Sequence, residues 1–254
     1  DDTGIAIVTL DPISEPGEVD IVVTKQNRQP HLGTIVVTAP DGPYILMESY
    51  QINDAAGNNN GMLDYGETVK LTIAIENVGI ETANNVIVTI ATTDVYTTIN
   101  DGSENYGDVA ADEVVSVPDG FEISVGYDVP DDHNIFFDFE ATDGIEIWTG
   151  TFVIKAHAPI LEFVTFEISG NGTVDPGETV DLTISVKNIG SSDAFNVIGE
   201  LLSSDPYITI NTSTQSYGNI APENIAEQVF SITADAGTPT GHLAGFDFDI
   251  VADY

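Results

Sequence analysis

The chain has 254 residues, with 42 Asp plus Glu against 5 Lys plus Arg, a formal net charge of −37, and no cysteine. A compact sphere of this mass exposes roughly 11,000 Å², or about one net negative charge per 300 Å². Such a field repels phosphate, which excludes nucleic-acid binding and disfavours anionic membranes; it favours divalent cations or a saline medium.

Without cysteine there are no disulfides, no thiolate metal sites and no Cys nucleophile. No run of about 18 apolar residues exists, so no helix is expected to insert in a membrane. The apolar fraction of 42% suffices for packed cores. Residue 1 opens Asp-Asp with no basic, apolar leader, which is expected of a processed secreted chain or a fragment.

Residues 1–44 form a strand-rich segment. GTIVVTAP at 33–40 matches GTFVIKAHAP at 150–159, so this segment resembles the tail of a preceding unit. TGIAIVTLDP at 3–12 matches the same stretch, TGTFVIKAHAP at 149–159.

A repeat then organises the chain. DYGETVKLTIAIENVG at 64–79 returns as DPGETVDLTISVKNIG at 175–190, an offset of 175 − 64 = 111. The same offset carries DVYTTIN at 94 onto DPYITIN at 205, and NYGDVA at 105 onto SYGNIA at 216. Later it slips to 109, with Pro130, His133, Phe137 and Phe139 falling on Pro239, His242, Phe246 and Phe248.

LTIAIEN (71–77), NVIVTI (85–90), NIFFDFEAT (134–142) and GTFVIKA (150–156) alternate with period two and are rich in β-branched and aromatic residues. Gly, Asn, Asp and Pro punctuate them at short intervals, and no stretch has a helical period. The prediction is an all-β chain of tandem immunoglobulin-like antiparallel β-sandwich domains, at 45–157 and 158–254. Leu71, Ile73 and Ile75, with their repeats Leu182, Ile184 and Val186, are the expected core face. The second domain stops at Tyr254, one strand short of the first. The expected donor for that place is strand 4–10 of another copy, giving head-to-tail self-association; the alternatives are a fragment cut one strand short, or residues 4–10 folding back within the same chain.

Two loops carry candidate chemistry. In DAAGNNNGMLDYGE (54–67), Asn58, Asn60, Gly61, Asp64 and Glu67 take positions 3, 5, 6, 9 and 12 of a twelve-position calcium loop. Asp54 substitutes for the Ala56 at position 1. In EISGNGTVDPGE (167–178), Glu167, Ser169, Asn171, Gly172, Asp175 and Glu178 take positions 1, 3, 5, 6, 9 and 12. Ca²⁺ takes six to eight hard oxygens, and glycine allows the sharp turn that gathers them. The alternative is an Asn/Gly-rich turn with solvated carboxylates. The loops follow the linkers, so both are expected near the domain junctions.

His133 and His242 are equivalent and lie about 109 residues apart; a turn or strand-edge role is preferred to a shared zinc ion. Tyr106 and Tyr217 are expected in the core with their hydroxyls bonded. Trp148 reads as a core or interface residue, or as a sugar-stacking platform. No nucleophile elbow, P-loop or HExxH motif occurs, so no enzyme activity is expected.

TKQNRQPHLGTIVVTAPDGPYI (24–45), NNNGMLDYGETVKLTIAIENVG and the DPYITIN and YGNIAP turns resemble the modules that follow the catalytic domain in gingipain-like, type IX-secreted cysteine peptidases. That resemblance implies immunoglobulin-like sandwiches, secretion to the cell surface or exterior, and a parent peptidase domain as partner. The family's catalytic Cys and His belong to a domain outside this chain, so no catalytic residue carries over. Three functions follow: a calcium-stabilised stalk segment, a subunit of an extracellular filament, and an adhesin.

Overall fold

In the computed structural model, residues 17–24, 29–37 and 41–253 are described. They are all-β, and none of them is helical. The candidate donor strand 4–10 lies outside the described residues.

At the start, β1 (Gly17–Val23) and β2 (His31–Val37) form an antiparallel hairpin with Gly17 opposite Val37. Val22, Leu32 and Val36 on it are exposed.

The first repeat supplies β3 (Ile45–Asn53), β4 (Leu63–Asp64), β5 (Thr68–Asn77), β6 (Ala83–Ala91), β7 (Thr97–Asp101), β8 (Ser103–Val109), β9 (Val114–Val125), β10 (His133–Thr142) and β11 (Ile147–His157). They form two sheets, ordered β3-β5-β9-β7 and β4-β11-β10-β6-β8. Alternation buries one face of each strand: Leu71, Ile73 and Ile75 from β5 meet Ile135, Phe137 and Phe139 from β10 in one cluster. Trp148, on β11, belongs to that cluster, which removes it as a sugar platform.

The second repeat supplies β12 (Leu161–Ile168), β13 (Thr179–Asn188), β14 (Ala194–Leu202), β15 (Ile208–Ile210), β16 (Thr214–Ile220), β17 (Ile225–Ala234) and β18 (Asp247–Val251). Their sheets are β12-β13-β17-β15 and β16-β14-β18. Leu182, Ile184 and Val186 are buried in a second, separate cluster with Leu201, Tyr217 and Phe230.

The registers repeat as the sequence offsets require. Phe139 pairs with Ile90 on β6, and Phe248 pairs with Leu201 on β14. Val86 faces Gly107, and Val197 faces Gly218. β18 is therefore the counterpart of β10. Among the described residues no strand occupies the place that β11 holds beside β10.

Candidate metal loop at the junction of the repeats

The loop between β3 and β5 folds back on itself because its acidic and amide side chains bond its own backbone. Asp54 Oδ2 accepts the N–H groups of Asn60 and Gly61, at 2.7 and 3.0 Å. Gly61 turns the chain with φ of 81°, a region that favours glycine. The amides of Asn58 and Asn60 both donate to Asp64 Oδ2, each at 2.7 Å. Glu67 closes the loop: its Oε1 accepts Asn58 N–H at 3.1 Å and its Oε2 accepts Asp64 N–H at 3.2 Å. All five first-loop candidates are thus brought together, with Asp54 taking the part that position 1 leaves to Ala56.

The enclosure is tight. Asp54 and Asp64 are only 3% and 2% exposed, and Asp64 Oδ1 is buried with no hydrogen-bond partner among the described residues. A buried carboxylate oxygen without a partner costs about 1–3 kcal/mol or more. Burial raises the Glu67 carboxyl above its ordinary value, and the charges of Asp64 and Asp54 add to this, against the two N–H groups it accepts. These features fit a hard cation, which would occupy the orphaned oxygen and offset the three negative charges. The Asn58 and Asn60 amides, turned over, present oxygen in place of nitrogen. Among the described residues no three His, Asp or Glu side chains form a metal-holding group by themselves. Any cation here needs the asparagine oxygens as well.

The loop also borders the second repeat. Tyr65, beside Asp64, is buried in the first core, and its hydroxyl lies 3.4 Å from the carbonyl oxygens of both Asp193 and Asp253. Phe195 of the second repeat packs against the first core. A pocket at this contact is lined by Asn58, Asp64, Tyr65, Glu67, Phe195 and Asp253. A second tie lies nearby: Asp131 accepts the N–H groups of Ala158 and Ser191 at 3.0 and 3.1 Å, and also the Ser191 hydroxyl. His157 Nδ1 lies 2.6 Å from that same hydroxyl oxygen. Burial alone would raise the Asp131 carboxyl, but these hydrogen bonds outweigh it and hold it below its ordinary value.

The second loop is built differently. Glu167 sits on β12 opposite Thr183 and is exposed. Asn171 bonds only within its own turn, to Thr173. Asp175 and Glu178 keep one feature, the Asp175 N–H donating to Glu178 Oε2 at 2.9 Å. Asn171 and Asp175 are exposed, and no buried oxygen is orphaned there among the described residues. Of Glu167, Asn171, Asp175 and Glu178, only Asp175 and Glu178 are joined to each other by a hydrogen bond among the described residues.

The paired histidines serve each repeat separately. His133 Nε2 lies 2.6 Å from Asp94 Oδ2, and His242 Nε2 lies 2.7 Å from Asp205 Oδ2. Each stands edge-on to a tyrosine, Tyr96 or Tyr207. Tyr106 and Tyr217 are buried, their hydroxyls donating to the carbonyls of Ile73 and Ile184. Sequence reasoning missed Tyr65, Asp131, Ser191 and Asp253. One signal existed: within DYGE and DPGE, Tyr65 stands where the second copy has Pro176.

The described residues thus define an all-β chain with two cores and a closed acidic loop where they meet. No family model and no curated protein matches the chain. Among solved structures, a protein of unknown function from Porphyromonas gingivalis W83 is similar at 12% identity and a TM-score of 0.24, over 73% of this chain and 83% of that one. The native alpha-2-macroglobulin of E. coli is similar at 10% identity and a TM-score of 0.31, over 92% of this chain and 19% of that one. A Salmonella alpha-2-macroglobulin mutant gives 11% identity and a TM-score of 0.31, over 92% and 18%. The chain thus spans less than a fifth of the macroglobulin chains.

Proposed function

We propose that this chain is a non-catalytic stalk segment of a secreted or cell-surface protein. In this reading it consists of two immunoglobulin-like sandwiches whose junction is stiffened by one calcium ion. The observation that carries it is the loop 54–67, where two buried aspartates, one with an orphaned oxygen, adjoin the tyrosine that reaches the second repeat. Asp54, Asp64 and Glu67 would supply charge, and Asn58 and Asn60 neutral oxygens. Bound calcium would fix the Asp64–Tyr65 backbone and hence the contact with Asp193 and Asp253. Two sheets meeting in one buried cluster in each repeat, with pairing antiparallel except for the short β4 beside β11, support the sandwich reading. The sequence resemblance to modules behind gingipain-like peptidases supports a parent protease as neighbour.

The test is calorimetric titration of the chelated chain with calcium. One site is expected, abolished by Asp64→Ala and retained by Asp175→Ala. Small-angle scattering should show the two-repeat chain become stiffer on binding. A chain that takes up no calcium at millimolar concentration defeats the reading, as does one whose binding survives Asp64→Ala.

A further inference from the structure

We propose that the second repeat is a strand acceptor, and that its occupant is residues 3–12 of a second copy of this chain. This goes beyond the stalk reading and does not rest on the calcium loop.

The first repeat shows what the second lacks. There, β11 covers the seam between the two sheets. Its Phe152 stacks on Phe137 with ring centres 4.9 Å apart and meets Tyr50 of β3 at 5.7 Å. The Tyr50 hydroxyl donates to the β11 carbonyl of Val153 at 2.9 Å. In the second repeat no strand among the described residues covers the matching surfaces. β12 carries the same bulge as β3, after Phe163 as after Met47, so Phe166 stands where Tyr50 does. Phe163 and Phe166 are 47% and 54% exposed. Phe246, counterpart of the 1% exposed Phe137, is 37% exposed. A groove of about 520 Å³ runs between β12 and β18, lined by Phe163, Phe166, Ile168, Leu182, Phe246 and Phe248.

The backbone gives the same account. Residues 138–142 of β10 pair with β6, but 133–137 pair with β11 alone. In the second repeat only Asp247–Val251 is strand, and 242–246, the counterpart of 133–137, is irregular. A strand edge with free N–H and C=O groups beside an apolar groove is the geometry that strand addition completes.

Three observations select the occupant. TGIAIVTLDP repeats the pattern of TGTFVIKAHAP, the stretch that fills this place in the first repeat. In the β11 register, Gly4 falls opposite Phe248, Ala6 opposite Phe246 and Val8 opposite Ala244, by analogy with Gly150, Phe152 and Ile154 opposite Phe139, Phe137 and Ile135. Residues 3–10 carry no charge. The groove's rim exposes Glu162, Glu167, Asp247 and Asp249, which would repel an acidic strand.

Reach decides that the donor comes from another copy. The donor must run antiparallel to β18, so its end leaves at residues 242–244, away from the junction that Asp253 marks. Ile45 also lies away from that junction, because β3 runs toward the loop that bears Tyr65. Because Gly17 pairs with Val37, only residues 13–16 and 38–44 connect the donor to Ile45, at most about 40 Å. The path within one chain follows β3 and then the groove, about 55 Å at 3.3 Å per residue. A neighbouring copy meets no such limit. Its hairpin and first repeat continue beyond the acceptor, as the second repeat continues beyond β11. The contact is heterologous and propagates.

The experiment uses the full chain with Ala6→Cys and Phe246→Cys together, in a protein with no other cysteine. Under mild oxidation in saline buffer, a ladder of dimers, trimers and higher species is expected on a non-reducing gel. Filaments are expected in the electron microscope. Val8→Cys with Ala244→Cys provides a second pair should the first perturb folding. Deleting residues 1–12 should abolish assembly, and a peptide of residues 2–12 should shorten the filaments of the unsubstituted chain. An intact chain that stays monomeric in light scattering overturns the proposal, as does a cross-link confined to monomers. Filaments that survive the deletion overturn the donor and leave self-association through another surface.

Discussion

Asn77 and Asn188, 188 − 77 = 111 residues apart, are fully buried and make the same four hydrogen bonds. Asn77 Oδ1 accepts the N–H groups of Tyr44 and Gly79, both at 3.0 Å, while its amide donates to the carbonyls of Glu81 and Val109 at 2.8 and 2.9 Å. Asn188 does the same with Ile160, Gly190, Ser192 and Ile220, at 3.1, 3.0, 2.8 and 2.9 Å. Each side chain joins the strand entering its repeat to the turn after the central strand and to the opposite sheet. It uses every donor and acceptor an amide has. Asn77→Ala strands four backbone groups, two of them buried and two half-buried, and should cost about 3 kcal/mol. Asn188→Ala should cost the second repeat a similar amount. Urea unfolding followed by the fluorescence of Trp148, which lies in the first core, should respond to Asn77→Ala and much less to Asn188→Ala.

How legible was this from the residues? Leu71, Ile73, Ile75 and their repeats are all buried, because period-two alternation fixes which face of a strand turns inward. The slip from 111 to 109 is visible as register: Phe139 and Phe248 hold the same place against β6 and β14. The two acidic loops looked alike because residue type and spacing carry no information about enclosure. From Ile52 to Asp64 is 12 residues, whereas from Ile168 to Asp175 is 7. The shorter loop has no stretch that can fold over its carboxylates. Asp131 and Ser191 were not legible at all, since their contact spans 60 residues and exists only once the two repeats meet.

Acid should loosen that junction. The Asp131 carboxyl is held below its unfolded value, near about 3.9. Its stabilisation is complete above that value and is lost as pH falls through the lower folded one. Glu67 has the opposite sign: its folded value is raised, so the metal-free loop is most favourable in acid and loses that contribution as pH rises through the raised value. Proteolysis of the 158–160 linker should therefore quicken below about pH 3.9. Asp131→Asn should be cut faster at neutral pH and lose most of this dependence. Calcium affinity should weaken as Glu67 takes up its proton.

Tyr106 and Tyr217 each tie one sheet to the other, reaching from β8 to Ile73 on β5 and from β16 to Ile184 on β13, at 2.8 and 3.1 Å. Burial pushes Tyr217 up to about 12 and raises Tyr106 as well, the latter with help from the charge of Glu104. Either Tyr→Phe change should cost about 1 kcal/mol, since the ring keeps its packing and only the hydrogen bond is lost. Burial raises Tyr65 too, so alkaline titration at 295 nm should show three late-ionising tyrosines among the described residues of the native chain and two in either variant. A variant as stable as the parent would mean that the hydroxyls contribute nothing to joining the sheets.

A single methyl group should separate the proposed calcium binding from folding. A Cβ at Gly57 would collide with the Glu67 carboxylate, whose Oε1 it would overlap, while the nearest backbone atom, the Asp54 carbonyl oxygen, stays 3.4 Å away. Gly57 is absent from the residues with positive φ, so alanine adopts its backbone without strain. The displaced group is the far end of a flexible side chain, so the loop can yield by swinging Glu67 outward. Gly57→Ala should therefore leave the melting temperature in chelator almost unchanged. It should weaken calcium binding at least tenfold, because the closing carboxylate and its bond to the Asp64 N–H are lost. The gain in melting temperature on adding calcium should shrink with it. If Gly57→Ala binds calcium as the parent does, Glu67 is not a ligand and the loop holds its shape through Asp54 and Asp64 alone.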